Sequence, residues 1–293
     1  MQTPQWRDVV RRDLFGPSPD PRDRPYRLVI RVFLVVLKAF GFRFDVRGAE
    51  HLPRHGGAVI ASNHVSYFDF TYLELAALPQ HRLVRFMAKA SVFDNRFAGP
   101  AMRAMQHIPV DRTAGVAAFD EAVRALAGGQ VVGVFPEATI SSSFTVQDLK
   151  AGAARMAVQA GVPVVPAALW GGHRVATKNR RVVLRRGVPV TVLLGEPVVP
   201  EPGEKTQSVL RRTRAAMEAL LEEAQRSYPD SPAGEDDRWW LPAHLGGTAP
   251  TPEQARELDI HDVRGTAAAV RRSPVEQVRH VLGSLVSRRR RGR

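Results

Sequence analysis

Between residues 43 and 198, short apolar runs alternate with longer segments whose apolar positions recur at helical spacing. FRFDVRG (42–48) and AVIASN (58–63) read as strands, Phe68 to Leu78 as a helix, and VRFMAKASV (84–92) as a strand or strand–turn. HIPVDR (107–112) is a short strand, and residues 113–127 form an amphipathic helix stopped by Gly128-Gly129. VVGVFPEA (131–138) reads as a buried strand, LKAGAARMAVQAG (149–161) as a helix with a glycine stop, and VPVVPAALWG (162–171) as another strand. RVVLRR and PVTVLLGEPV (181–198) are expected to form an antiparallel pair, and 204–227 adds a helix, apolar at Val209, Met217, Leu220 and Leu221. This alternation predicts an α/β domain with a mostly parallel or mixed sheet flanked by helices.

The flanks differ in pattern. Residues 1–25 are polar and proline-rich, without the basic, apolar and small-residue succession of a signal peptide. Residues 26–42, YRLVIRVFLVVLKAFGF, are the most apolar stretch, but no run of 18 uncharged residues exists for a membrane-spanning helix. At about 100° per residue, Arg27, Arg31 and Lys38 fall within roughly 40° of one another on a cylinder otherwise apolar, Leu34 included. That fits a helix lying in a bilayer interface with snorkelling basic side chains, and also a core helix with one wet edge; the interface is the favoured expectation. Residues 229–252 are rich in Pro, Gly and acids and read as a linker, Trp239-Trp240 excepted. After a short amphipathic segment (275–286) the chain ends in RRRRGR. The expected division is 1–42 (polar arm and interfacial helix), 43–228 (the α/β domain) and 229–293 (a poorly ordered extension).

Composition narrows the chemistry. With no cysteine, disulfides, thiolate metal sites and a Cys nucleophile are excluded. A formal net charge of +13 favours anionic partners such as phospholipid headgroups. The basic residues are mostly Arg, amid abundant Ala, Gly, Pro and Val, as GC-rich codon usage produces. No aromatic–basic interleaving accompanies them, so nucleic acid is not an expected partner.

The candidate chemistry sits where strands end. The run Ala58 to Ala61 stops at Ser62-Asn63-His64, and Asp69 follows five residues after the histidine, in the first turn of the next helix. Residues i and i+5 diverge by roughly 140° on a helix, so a His64–Asp69 contact must be made across the turn. A carboxylate holding one ring nitrogen leaves the other free to take a proton, the arrangement of a base and its orienter. Alone the pattern is weak among 9 histidines, and a capped helix with a surface histidine fits it equally. Asp111-Arg112 and Glu137 with Thr139 and Ser141 stand at further strand ends. Singly, Arg112 suits a surface ion pair and Glu137 a helix cap. Gathered on one sheet edge, a base, an orienter, a cation and an acid read as one site.

NHVSYFD (63–69), IPVDR (108–112), FPEAT (135–139) and VPVVPA (162–167), in this order, resemble the four blocks of the glycerophospholipid acyltransferases of the lysophosphatidate acyltransferase type. The resemblance covers roughly residues 43–200. It implies that His64 and Asp69 are catalytic, that Arg112 binds the acceptor's phosphate, that Glu137 contacts its glycerol, and that Lys89 and Thr139 belong to the acceptor site. Three positions depart from the blocks: Gln106 replaces an opening glycine, Ala138 a glycine and Ile140 an arginine; Lys150 or Arg155 could supply the missing charge. The implied reaction moves an acyl chain from acyl-CoA or acyl-carrier protein to a lysophospholipid acceptor, without cofactor or metal, by a peripheral protein on the cytoplasmic face of the cell membrane and its anionic surface. Two other readings stay open: an acyltransferase for another lysophospholipid or a glycolipid, and a non-enzymatic membrane-binding protein.

Overall fold

A computed structural model describes residues 21–96, 98–111, 115–183 and 185–265. Seven strands form one sheet: β1 (Arg43–Arg47), β2 (Ala58–Ser62), β3 (Val84–Lys89), β4 (Ile108–Val110), β5 (Val131–Val134), β6 (Val164–Trp170) and β7 (Pro189–Leu194), in the order β1-β7-β6-β2-β5-β3-β4. From β6 to β4 all neighbours are parallel; β7 runs antiparallel to β6, and β1 parallel to β7. The central strands β2, β5 and β6 are buried throughout, which explains their unbroken apolar runs: both faces of a parallel sheet are covered by helices. The expected antiparallel pair within 181–198 does not form. β7 is buried along its length and takes β6 as its antiparallel partner, whereas Arg181, Arg185 and Arg186 are exposed and cannot enter a two-sided core.

The helices are α1 (Arg24–Ala39), α2 (Asp69–Ala77), α3 (Ala90–Phe93), α4 (Ala98–Ala104), α5 (Gly115–Ala127), α6 (Gly152–Ala160), α7 (Thr206–Arg226) and α8 (Pro252–Gly265). α1 and α2 cover one face of the sheet with Tyr26, Ile30, Leu37, Tyr72, Leu73 and Leu75 in one core. α5, α6 and α7 cover the other, through Ala122, Leu126, Met156, Val209 and Met217.

α1 carries three stripes. Tyr26, Ile30 and Leu37 are buried; Arg31 and Lys38 flank them; Leu28, Val32, Val35 and Val36 are exposed apolar residues. Leu34, expected to face lipid, is instead partly buried and packed against the core, because at about 100° per residue it falls beside Ile30 and Leu37. No helix among the described residues is long and apolar enough to cross a membrane.

The segment expected as a linker is packed. Trp240 is fully buried in a cluster with Trp170 and Leu221. Its carbonyl lies 3.0 Å from His173 Nε2, and since a carbonyl only accepts, that nitrogen carries the proton. The Arg174 guanidinium sits over the Trp240 ring and reaches Asp230 at 2.6 Å, while Arg180 covers Trp239 at 3.9 Å. Two tryptophans supply enough apolar surface to anchor an otherwise polar strap. The 275–286 segment and the terminal RRRRGR lie outside the described residues.

A buried polar knot ties α1 to the sheet. Tyr26 Oη lies 2.7 Å from Glu74 Oε2 and 2.8 Å from Val84 O, and Val84 N–H donates to Glu74 Oε2 at 2.9 Å. One tyrosine proton cannot serve two acceptors. A protonated Glu74 donates to Tyr26, which donates onward to Val84, so every contact is satisfied. Burial pushes the Glu74 carboxyl up to about 7; against that rise act the bonds that the ionised carboxylate would accept from Tyr26 Oη and Val84 N–H, and the nearby Arg85. A carboxyl raised in the folded state adds stability below its unfolded value and loses it as pH rises toward 7. Buried His107 and His173, both lowered to about 3, work in the opposite direction, so total stability mixes the two trends. The prediction is therefore a difference: relative to Glu74→Gln, which keeps a donor and an acceptor, wild type should lose roughly 3 kcal/mol between pH 4.5 and 8. Urea unfolding of both proteins across that range measures it, and parallel curves would refute it.

Candidate active site

Parallel strands put their carboxyl ends on one edge, where α/β sheets place ligands. β2 and β5 are neighbours with Ala61 opposite Val134. Counting three residues onward from each brings His64 opposite Glu137.

His64 Nδ1 lies 2.9 Å from Asp69 Oδ2. The same oxygen accepts the backbone N–H groups of Val65 and Ser66, each at 2.7 Å. The turn between β2 and α2 is thus wound around one carboxylate, which crosses the gap that a helix face could not. Because that oxygen accepts throughout, Nδ1 carries the proton and Nε2 is left with a lone pair. The His64 side chain keeps 21% of its exposure against 1% for Asp69, so the imidazole, not the carboxylate, meets the open edge.

The backbone beneath is pinned. Asn63 Nδ2 donates to Leu169 O at 3.0 Å and its Oδ1 accepts from Leu169 N at 2.7 Å, locking the end of β2 to β6. Ser141 N–H donates to His64 O at 2.7 Å, and Glu137 Oε1 accepts from His64 N–H at 3.3 Å. Glu137, expected to contact an acceptor, is only 5% exposed and turned under the histidine. Burial pushes its carboxyl well above the usual range, and the charge of Asp69 adds to that rise, while the His64 and Gln147 backbone N–H groups oppose it. Phe135, at the end of β5, lies parallel to the imidazole at 4.3 Å.

The other expected residues are placed as follows. Lys89 ends β3 and is exposed; Thr139 is half-buried in the loop after β5. Arg112, two residues beyond β4, lies outside the described residues. Ile140 is 6% exposed. Of the cations considered for its place, Lys150 is exposed with its N–H on Pro136 O at 2.8 Å, beside the third block. Arg155 is turned over the Phe119 ring at 4.9 Å. Gln106 and Ala138, the two residues standing where glycine was expected, have φ of 55° and 60°, the left-handed conformation glycine adopts freely. Sequence reading assigned no role to Asn63 or Phe135. A polar residue closing an apolar strand was a signal for the first; the second reads simply as the last apolar residue of its strand.

The Acyltransferase family model matches residues 43–170. A 1-acyl-sn-glycerol-3-phosphate acyltransferase of Bacillus subtilis is 29% identical over 174 residues, 59% of this chain and 82% of the relative. The alpha form of that enzyme in Ovis aries is 32% identical over 186 residues, 62% of this chain and 63% of the relative. In three dimensions the chain is similar to the crystal structure of the 1-acyl-sn-glycerophosphate acyltransferase PlsC from Thermotoga maritima, with a TM-score of 0.59 at 21% identity, covering 76% of this chain and 89% of that one. That likeness bears on the fold, and it extends beyond the matched blocks to the seven-stranded sheet with its flanking helices. The chain thus carries an Acyltransferase domain over residues 43–170, is PlsC-like in fold, and is an O-acyltransferase.

Proposed function

We propose that this protein transfers a fatty acyl group from acyl-CoA or acyl-carrier protein to the free hydroxyl of 1-acylglycerol-3-phosphate, giving phosphatidate. The observation that carries the reading is the His64–Asp69 pair, 2.9 Å apart, in which the His64 side chain keeps 21% of its exposure. Nε2 takes the hydroxyl proton as the oxygen attacks the thioester carbonyl; the C–S bond then breaks and the proton passes from His64 to the leaving thiolate. Asp69 holds the tautomer and balances the imidazolium charge. The acyl carbon goes directly from sulfur to oxygen, so neither an acyl-enzyme nor a cofactor enters. Lys89, Arg112 and Thr139 form the acceptor's phosphate side in this reading, and Glu137 braces the His64 backbone from below. A second acceptor class, another lysophospholipid or a glycolipid, is favoured by one observation: buried, apolar Ile140 stands where the family's blocks carry an arginine.

The protein meets its acceptor as a peripheral protein on the cytoplasmic membrane face. α1 supports this, since Leu28, Val32, Val35 and Val36 form a continuous exposed apolar stripe beside Arg31 and Lys38.

His64→Ala should abolish transfer without unfolding the domain, and Asp69→Asn should lower kcat about 10²- to 10⁴-fold. Near-normal turnover of the His64 variant, measured with radiolabelled acyl-CoA, would exclude this mechanism.

Arg112→Ala should raise the apparent KM for 1-acylglycerol-3-phosphate by roughly ten- to a hundredfold, the worth of a charged hydrogen bond, and leave the thioester's KM nearly unchanged. Equal effects on both substrates would move Arg112 to the donor side. A lysolipid without a terminal phosphate, used as well as 1-acylglycerol-3-phosphate, would favour the second acceptor class.

Joint replacement of Val32 and Val35 by Asp should release the protein from anionic phosphatidylglycerol vesicles at low salt, and wild type should be partly released by high salt. Full cosedimentation of the double variant would assign lipid contact to another surface.

A further inference from the structure

His64 is held on an edge by Asp69 and on a face by an aromatic stack. The Phe135 ring is 4.3 Å from the imidazole, centroid to centroid, with 18° between planes. Phe86 lies behind Phe135 at 6.2 Å and 7°. The far end of this stack is anchored. Phe86 N–H donates to buried His107 Nδ1 at 3.1 Å, and a Cβ at Gly133 would come within 2.6 Å of the Phe86 ring. Glycine in the middle of buried β5 weakens a strand, and here it makes room for that ring.

We propose that Phe135 is a positioning residue for His64, whose ring face favours the imidazolium formed when the acceptor hydroxyl gives up its proton; this rests on His64 being the base. The face of a phenyl ring carries the negative lobe of its quadrupole. A neutral imidazole at 4.3 Å gains packing alone, whereas an imidazolium at the same distance gains a cation–π attraction. The gain appears only once the proton has moved, so it acts on kcat and not on substrate binding. Phe135 forms and breaks no bond: the proton goes from the hydroxyl to Nε2 and on to the thiolate. With Asp69 on Nδ1 and Phe135 against one ring face, Nε2 is the ring nitrogen left to take the proton.

Phe135 also packs against the core that includes Leu73 and Phe86, and the test must separate packing from charge. Phe135→Leu and Phe135→Met keep apolar volume without a π face; Phe135→Tyr keeps the ring. The full chain is assayed with palmitoyl-CoA and 1-acylglycerol-3-phosphate in mixed micelles from pH 5 to 9. In parallel, the His64 C2–H resonance, assigned by its absence in His64→Ala, is titrated without substrate.

The expected result for both ring-less variants is a kcat about three- to tenfold lower, with both KM values within about twofold of wild type. The acid limb of kcat/KM and the His64 resonance should each move to lower pH by roughly half to one unit, because the imidazolium has lost a stabilising partner. Phe135→Tyr should restore wild-type behaviour in all of these. If kcat falls while limb and resonance stay in place, Phe135 only packs and the proposal fails; it fails equally if the ring-less variants match wild type. An active His64→Ala would instead overturn the base itself, a result distinct from an inactive His64→Ala beside unaffected Phe135 variants.

Discussion

Ala61 lies opposite Val134 in the parallel pairing of β2 with β5, and both strands are buried from end to end. A parallel sheet covered on both faces has no freedom to slip by one residue, since a slip would exchange every side chain between two filled cores. The register therefore fixes where each strand releases its chain. His64 leaves β2 at the level where Glu137 leaves β5, and the Glu137 carboxyl finds the His64 N–H. Phe135 and Ser141 come off the same strand end and meet the ring and the carbonyl of the same residue. One strand exit thus grips His64 by its N–H, its C=O and its ring face. The Asp69 carboxylate, approaching from the other side, closes the set.

The loops that deliver these groups keep their shape where their residue types are unusual. Gln106 and Ala138 hold φ of 55° and 60°, a region that costs a side chain about 1 kcal/mol or more. Both occupy positions where glycine would be unstrained. Strain of this size persists only when the surroundings determine the backbone. Around Ala138 they do: its N–H reaches Phe135 O at 3.0 Å, and Ser141 and Glu137 on either side are bound to His64. The loop's path follows from what it must touch, and the alanine accommodates it. Ile140 is a different kind of change, because it alters the chemistry of a side chain and not the course of the backbone.

The elements whose burial is continuous or cleanly periodic were legible in the sequence: β2, β5, β6, α5, α6 and α7 lie within a few residues of where their patterns put them. The His64–Asp69 pairing was legible too, because a five-residue spacing excludes a helix face and leaves only the turn. Two things were not legible. The partner of β7 was misjudged because nearness in sequence favours a hairpin, while burial on both faces, visible only once the sheet is assembled, demanded β6. The strap at 229–252 reads as a linker because its composition is polar. Its anchoring depends on Trp240 finding Trp170, Arg174 and Tyr228, contacts that no local window contains. Phe135 belongs with these, since an aromatic stack across two strand ends leaves no periodic trace.

The same reasoning bears on α1, where the sequence offered a core helix or an interfacial one as alternatives. In the structure one face of the helix packs into the core and another leaves an apolar stripe exposed. Tyr26, Ile30 and Leu37 are sealed into the sheet's core, and the Tyr26–Glu74–Val84 knot sets the helix's rotation about its own axis, since turning it would break buried hydrogen bonds. A helix so fixed cannot bury its second apolar stripe by rolling inward. Leu28, Val32, Val35 and Val36 stay exposed because the core face is already used. Scattered apolar residues at a surface need no partner, but a continuous stripe with basic residues beside it has the composition of an interface with anionic lipid. Phe33 on this helix meets Phe68 at 6.3 Å, and Phe68 directly precedes Asp69. The core side of α1 thus packs against the turn that carries Asp69, so the helix and the strand-edge site belong to one packed unit.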